Sequence, residues 1–157
     1  MTIRDIINYY KKLKWVVMVP EKSNIVPSEF IIVGGTGNLS KSKILPALFW
    51  RFLDNQIDAQ SNIILCDKYI KSKKDFFLEL QSNCNEAIKS EDNNLENWNN
   101  FIKIIKLVEL DVVSGNGHLD LVKIIKEKFD ENRPIIFYLA IASSLFGNSC
   151  KFIRDSG

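Results

Sequence analysis

Glycines are concentrated where a strand is expected to pass into a helix. In the stretch EFIIVGGTGNLSKSKILPALF, residues 29–49, the β-branched run FIIV is followed at once by Gly34, Gly35 and Gly37. The start of a helix offers unpaired backbone N–H groups and the positive end of a dipole, and glycines let a diphosphate approach them. The pattern predicts a phosphate cradle.

The match to the dinucleotide fingerprint G-x-G-x-x-G is partial. Gly35 and Gly37 fit it, but Ser40 occupies the third position. A glycine turn that only lets a strand meet a helix therefore stays open as an alternative. Lys41 and Lys43 follow in the first turn of the helix, where positive charge opposes the dipole, so we expect an anion nearby.

The elements that must position this turn alternate along the chain. Strands are predicted at residues 30–33, 62–67, 105–112 and 133–140, and helices at about 39–55, 73–87, 118–129 and 144–157. This order predicts an α/β fold with a parallel sheet. The run from Phe101 could also end a helix, residues 90–100 are a loop or short helix, and Pro46 predicts a kink.

Length and charge limit the classes of function. The chain has 157 residues, 46% apolar and 25% charged, which fits one globular domain. We assign residues 1–29 to an N-terminal helix and linker, and residues 30–157 to the domain itself. The net charge of +2 gives no support for binding to nucleic acid or to a membrane surface.

Three cysteines at wide spacing, Cys66, Cys84 and Cys150, form neither a disulfide framework nor a zinc motif. We expect buried thiols and no metal site. The sequence has no run of roughly 18 apolar residues that could form a membrane helix, so a cytoplasmic location is the default expectation.

The stretch after the glycines carries a family resemblance. GGTGNLSKSKILPALF resembles the signature G-A-[ST]-G-D-L-[AST]-[KR]-x-K-[IL]-x-P-[AT]-[LI] of glucose-6-phosphate dehydrogenases. FYLAIASSLFGNSCKFIRDSG, residues 137–157, resembles the F-Y-L-A-x-P-P-x-x-[FY] segment of the same family. The resemblance covers about residues 30–157. It implies a Rossmann-type NAD(P)-binding domain with a parallel sheet of about four strands and flanking helices, incomplete relative to the full enzyme.

The resemblance also implies an activity. It is the NADP-dependent oxidation of glucose 6-phosphate to 6-phosphogluconolactone, the first step of the pentose phosphate pathway in carbohydrate metabolism. This chain would supply the cofactor-binding domain of that oxidoreductase. The implied contacts to the diphosphate and adjacent ribose are Gly34, Gly35, Thr36, Gly37, Asn38, Leu39, Ser40 and Lys41.

Two neighbouring residues favour different cofactors. Lys68 falls where the family has an arginine that grips the 2′-phosphate of NADP, whereas the carboxylate of Asp67 suits the free ribose hydroxyls of NAD. The resemblance favours NADP, with NAD possible because of Asp67. Phe146 falls on a family aromatic position near the nicotinamide, beside Ile141 and Ala142.

The sequence departs from the family at several of these positions. Asn38 replaces an aspartate, Ala142 and Ser143 replace a Pro-Pro pair, and Lys68 cannot bind a phosphate bidentately as arginine does. The shape of the nicotinamide pocket and the grip on the 2′-phosphate are therefore less clearly specified here.

No catalytic residue is predicted within the chain. The family's catalytic histidine and its sugar-phosphate ligands come after the segment where this sequence ends, so we expect this chain alone to be inactive. Binding of the sugar phosphate and formation of a homo-oligomer are expected only with the C-terminal half.

Two further polar side chains, His118 and Asp111, each have two candidate roles. The single histidine, His118, is interpreted as a surface or capping residue, and Asp111 as either a ligand-edge residue or a cap. A stand-alone NAD(P)-binding Rossmann protein and a non-catalytic remnant remain alternatives for the chain as a whole. A half-sheet would leave an apolar edge and so predicts poor solubility.

Overall fold

Four parallel strands form the centre of the chain. A computed structural model describes residues 25–89, 94–127 and 133–155. The strands are β1 (Glu29–Val33), β2 (Asn62–Asp67), β3 (Ile105–Glu109) and β4 (Ile135–Leu139), in the order β3-β2-β1-β4. The predicted α/β class with a four-stranded parallel sheet is confirmed. The helix predicted within residues 1–29 lies outside the described residues.

Helices connect these strands. A π-helical turn (Ser40–Ile44) leads into α1 (Leu45–Leu53), and after β2 come α2 (Lys73–Asn83), α3 (Asn85–Lys89) and α4 (Asn94–Lys103). After β3 comes α5 (His118–Glu127), and after β4 a 3₁₀ turn (Ser143–Leu145) leads into α6 (Phe146–Asp155).

Two predicted boundaries differ from the structure, and one open alternative is decided. The helix predicted over residues 73–87 divides at Cys84. The run from Phe101, which could also end a helix, is the end of α4. The strand predicted to reach residue 112 ends at Glu109, because a tight turn follows in which the N–H of Gly115 donates to the carbonyl of Asp111 at 2.8 Å.

The two faces of the sheet carry separate hydrophobic cores. One joins β1 and β2 to α1, α2 and α4 around Phe49 and Phe101, which are fully buried. The other packs Ile31 and Ile64 against Leu121 of α5. Burial on both faces explains why β1 and β2 are continuous apolar runs rather than alternating ones.

A buried ion pair links three strands at their N-terminal ends. Arg133, just before β4, places Nε 2.6 Å from Oε1 of Glu29 in β1, and the Glu29 side chain is 1% exposed. Asn62 of β2 donates its Nδ2 hydrogens to both carboxylate oxygens of Glu29, at 3.0 and 2.9 Å. This end of the sheet is stabilised by charge, opposite the end that carries the glycine turn.

None of the helices within the described residues is long and apolar enough to cross a bilayer.

Candidate functional site

The glycine turn lies at the C-terminal end of β1, in the middle of the sheet. The N–H groups of Gly34 and Gly35 donate to the carbonyl of Cys66 in β2, at 2.8 and 3.0 Å. From β1 the chain builds outward through β2 and β3, and then returns to place β4 on the other side of β1. Ligands of open parallel sheets bind at such a reversal of strand order.

The three glycines of the turn have different reasons to be glycine. A Cβ on Gly34, where φ is +79°, would lie 2.3 Å from the carbonyl oxygen of Ala140, and one on Gly35 would lie 2.7 Å from the Cα of Leu65. Both are fixed by close packing against neighbouring strand ends. A Cβ on Gly37 would meet only the carbonyl oxygen of Gly34, at 3.2 Å. Gly37 therefore leaves room for a ligand.

Ser40, at the third position of the fingerprint, is buried beneath the turn. Its side chain is fully buried, and its hydroxyl donates to the carbonyl of Gly34 at 2.8 Å. Glycine at this position usually permits close packing of helix and strand. Here a serine fills the space and fastens the helix to the turn.

A wide helical turn follows Ser40. The N–H of Leu45 donates to the carbonyl of Ser40, five residues earlier, and Pro46 stands in the first turn of α1. The sequence predicted a kink at Pro46, whereas the irregular turn lies just before it. Proline has no N–H and its ring clashes with the carbonyl four residues back, so a π-helical turn relieves the strain there.

The anion expected beside Lys41 is supplied by the protein. Lys41 Nζ lies 2.6 Å from Oε2 of Glu79 in α2, whose side chain is about half exposed. A cavity of about 350 Å³ opens beside this pair. Its charged lining residues are Lys41, Lys71, Asp75 and Glu79.

Asp67, at the end of β2, supports the glycine turn directly. Its Oδ2 accepts the hydroxyl of Thr36 at 2.7 Å and the N–H of Thr36 at 3.3 Å, and its Oδ1 accepts the N–H of Lys68 at 2.9 Å. From the sequence alone, the partners expected for this carboxylate are ribose hydroxyls. The contact to Thr36 has no sequence signal, because the two residues lie 31 positions apart.

Lys68 is paired with the carboxylate of Asp111. Its Nζ lies 3.2 Å from Asp111 Oδ2, and this hydrogen bond raises the pKa of Lys68. Asp111 also accepts the N–H of Val113 at 2.9 Å, and this bond, together with Lys68, lowers the pKa of Asp111. Of the two predicted roles for Asp111, the structure shows capping of the turn after β3.

The remaining predicted site residues, Asn38, Leu39 and Phe146, are exposed. Asn38 and Leu39 are exposed at the start of the helix, and Phe146 begins α6 with 41% of its surface exposed. The glycine turn and the segment after β4 are brought together, since Gly34 packs against Ala140 and Ile141.

The structure gives His118 no catalytic setting. It begins α5, and its ring is partly buried edge-on against Phe152, with ring centroids 5.3 Å apart, so it is not simply a surface residue. Its Nε2 is buried without a hydrogen-bond partner. Within the described residues, no group of three or more His, Cys, Asp or Glu side chains could hold a metal ion.

Comparison with known proteins identifies relatives. The family model for the NAD binding domain of glucose-6-phosphate dehydrogenase matches residues 31–157. The glucose-6-phosphate 1-dehydrogenase of Rhizobium meliloti is 30% identical over 131 residues, covering 83% of this chain and 26% of that protein. The enzyme of Kluyveromyces lactis is 28% identical over 136 residues, covering 80% and 26%. The chain thus spans about a quarter of the length of these curated relatives.

Solved structures agree. A structure of glucose-6-phosphate dehydrogenase in complex with its substrate glucose-6-phosphate superposes with a TM-score of 0.71 at 25% identity, covering 82% of this chain and 27% of that one. The glucose-6-phosphate 1-dehydrogenase from Mycobacterium avium has a TM-score of 0.64 at 15% identity and covers 83% of this chain and 27% of its own, a likeness of fold alone.

Proposed function

The chain belongs to the glucose-6-phosphate dehydrogenase family, and from that membership we propose that it binds NADP at the glycine turn for the oxidation of glucose 6-phosphate to 6-phosphogluconolactone. The matched region is the family's NAD-binding domain, so the nicotinamide cofactor is the ligand of this part of the enzyme. Binding of the sugar phosphate, subunit association, the pathway and the cytoplasmic location are proposed for the enzyme as a whole.

The observation that carries the proposal is the contrast among the three glycines of the turn. A Cβ on Gly34 or Gly35 would clash with neighbouring strand ends, whereas a Cβ on Gly37 would meet one backbone atom, the Gly34 carbonyl oxygen at 3.2 Å, so the turn is more open to a ligand at Gly37. The turn also stands where the strand order reverses and where a helix begins, which together favour a bound diphosphate.

The residues around the turn fit a dinucleotide. The backbone of residues 34–41 would hold the diphosphate and the adjacent ribose, Lys68 would bind the 2′-phosphate, and Phe146 would lie near the nicotinamide. When bound, the nicotinamide supplies a hydride acceptor. We assign proton abstraction to none of the described residues, because a histidine supported by a carboxylate does not occur among them.

The experiment is calorimetric titration of the folded chain with NADP⁺ and then NAD⁺, comparing Gly37→Ala with the native sequence. A methyl group at Gly37 occupies the ligand's space, and its contact with the Gly34 carbonyl oxygen at 3.2 Å, closer than an ordinary van der Waals contact, requires a small shift of the turn. We expect both nucleotides to bind about tenfold more weakly, a loss of ~1.4 kcal/mol, while circular dichroism shows that the chain stays folded.

Glu96→Ala is the control. Glu96 is exposed in α4, an element that contributes no residue to the glycine turn or to the cavity beside Lys41. We expect its nucleotide affinity to equal that of the native chain. A folded native chain that binds neither nucleotide, or a Gly37→Ala variant that binds both as tightly as the native chain, would remove the glycine turn as the cofactor site.

A further inference from the structure

Two carboxylates stand beside Lys68 at the C-terminal edge of the sheet. Asp111 Oδ2 lies 3.2 Å from the Lys68 ammonium, and Asp67 accepts the Lys68 backbone N–H. With one positive and two negative side chains, this group carries a net charge of −1. This net negative charge disfavours the binding of a phosphate at Lys68, although the residue at this position in the family binds the 2′-phosphate of NADP.

Asp111 is the fixed member of its pair. Its side chain is 16% exposed, whereas that of Lys68 is 55% exposed. The N–H of Asp111 donates to the carbonyl of Asn116 at 3.0 Å, and its Oδ1 accepts the Val113 N–H. The turn closes at Gly117, where φ is +87° and a Cβ would lie 1.8 Å from the carbonyl oxygen of Glu109. The carboxylate is therefore held in place, and the lysine reaches toward it.

We propose that Asp111 is a specificity-determining residue, which holds Lys68 in an ion pair and thereby lowers the preference of the site for NADP over NAD. The inference rests on the proposed function of the glycine turn. NADP differs from NAD only by its 2′-phosphate, which carries about two negative charges at neutral pH. To contact Lys68, that phosphate must compete with the carboxylate of Asp111.

The test is the ratio of the dissociation constants for NAD⁺ and NADP⁺, measured calorimetrically in the native chain and in Asp111→Asn. Asparagine keeps an oxygen that can accept the Val113 N–H, so the turn is retained while the charge is removed. We expect NADP⁺ to bind about two- to fivefold more tightly, the range of an exposed ion pair, and NAD⁺ to bind as before. The ratio measured within one variant is insensitive to partial unfolding, because unfolding weakens the apparent affinity for both nucleotides equally.

Three further variants test whether the shift comes from the ion pair. In a Lys68→Ala background, Asp111→Asn has no lysine to release, so the ratio should change much less than in the native background. Glu96→Gln removes the same charge from an exposed position of α4 and should leave the ratio unchanged. Asp111→Ser, whose hydroxyl can also accept the Val113 N–H, should reproduce the shift if Asp111→Asn folds poorly.

The outcomes separate this inference from the proposed function. If the native chain binds nucleotide but Asp111→Asn and Asp111→Ser leave the ratio unchanged, the role of Asp111 is overturned and the cofactor site stands. The same holds if Glu96→Gln shifts the ratio as much as Asp111→Asn. If no variant and no native chain binds either nucleotide, the cofactor site itself is overturned, and the role of Asp111 with it.

Discussion

Carboxylates of the protein already engage the polar side chains around the glycine turn. Glu79 contacts Lys41, Asp111 contacts Lys68, and Asp67 contacts Thr36. The two lysine pairs are partly exposed, and such pairs contribute little to stability. A phosphate group carrying more charge than one carboxylate can therefore replace them at small cost, which makes these lysines suitable ligands even though both are paired.

At the same scale, burial sets the reactivity of the three cysteines. Burial, with the negative charge of Asp67 adding to it, raises the pKa of Cys66 to about 12, and burial alone raises that of Cys84 to about 12. At pH 8 these two thiols are therefore almost entirely protonated. Cys150 is exposed, so the expectation of a buried thiol is wrong for this residue. We expect iodoacetamide to modify Cys150 alone in the native chain, as measured by mass spectrometry after tryptic digestion.

The Cys150→Ser variant is the control for this labelling pattern. It should take up no label at pH 8 until guanidinium chloride exposes Cys66 and Cys84. Rapid labelling of the folded Cys150→Ser variant would contradict the burial of the two other thiols.

At the scale of the elements, the ion pair at the N-terminal edge should determine how firmly β4 is held. Arg133→Met leaves the Glu29 carboxylate buried with Asn62 as its remaining side-chain partner, because Arg133 supplies the neutralising charge. We expect the free energy of unfolding to fall by about 3 to 5 kcal/mol. Urea denaturation followed by circular dichroism measures the change.

Two further variants test whether this loss comes from the Glu29 carboxylate, which Arg133→Met leaves buried without its neutralising partner. Combining Arg133→Met with Glu29→Gln removes the charge and keeps an amide for Asn62, so most of the stability should return. Arg154→Met breaks an exposed pair with Asp155, whose side chain is 53% exposed, and should cost less than about 0.5 kcal/mol. Equal losses for Arg133→Met and Arg154→Met would show that the buried pair contributes little.

The elements that sequence could predict are those whose evidence is local. β1 and β2 contain continuous apolar runs, residues 30–33 and 63–66, and the turn at Gly34 directly follows β1, so the strand-turn-helix unit is visible in residues 29–49. The π-helical turn, which includes a hydrogen bond from the Leu45 N–H to the Ser40 carbonyl, is a backbone feature that the hydrophobic pattern does not specify. The ion pairs join residues about 40 positions apart, Lys41 with Glu79 and Lys68 with Asp111, so they require the sheet register to be known.

At the scale of the whole molecule, the edge of the sheet formed by β4 presents apolar surface. Ile135, Ile136 and Tyr138 of β4 are 42%, 43% and 50% exposed. A groove of about 500 Å³ runs between α1 and β4, lined mainly by apolar side chains of Phe30, Leu39, Leu48, Ile136 and Tyr138. Within the described residues, β4 pairs only with β1, so its outer edge also carries unpaired backbone groups.

This edge should govern self-association of the 157-residue chain. Exposed strand edges with apolar side chains template pairing with other chains, and lysines on the edge oppose it by charge repulsion. We expect the variant Ile136→Lys with Tyr138→Lys to elute later than the native chain in size-exclusion chromatography and to stay in solution at higher concentration.

Leu119→Lys is the control, because Leu119 is 80% exposed but lies on α5, away from β4. If Leu119→Lys improves solubility as much as the β4 variant, added charge rather than the edge is responsible. A native chain that elutes as a monomer, with no change in the β4 variant, would show that this apolar edge does not drive association.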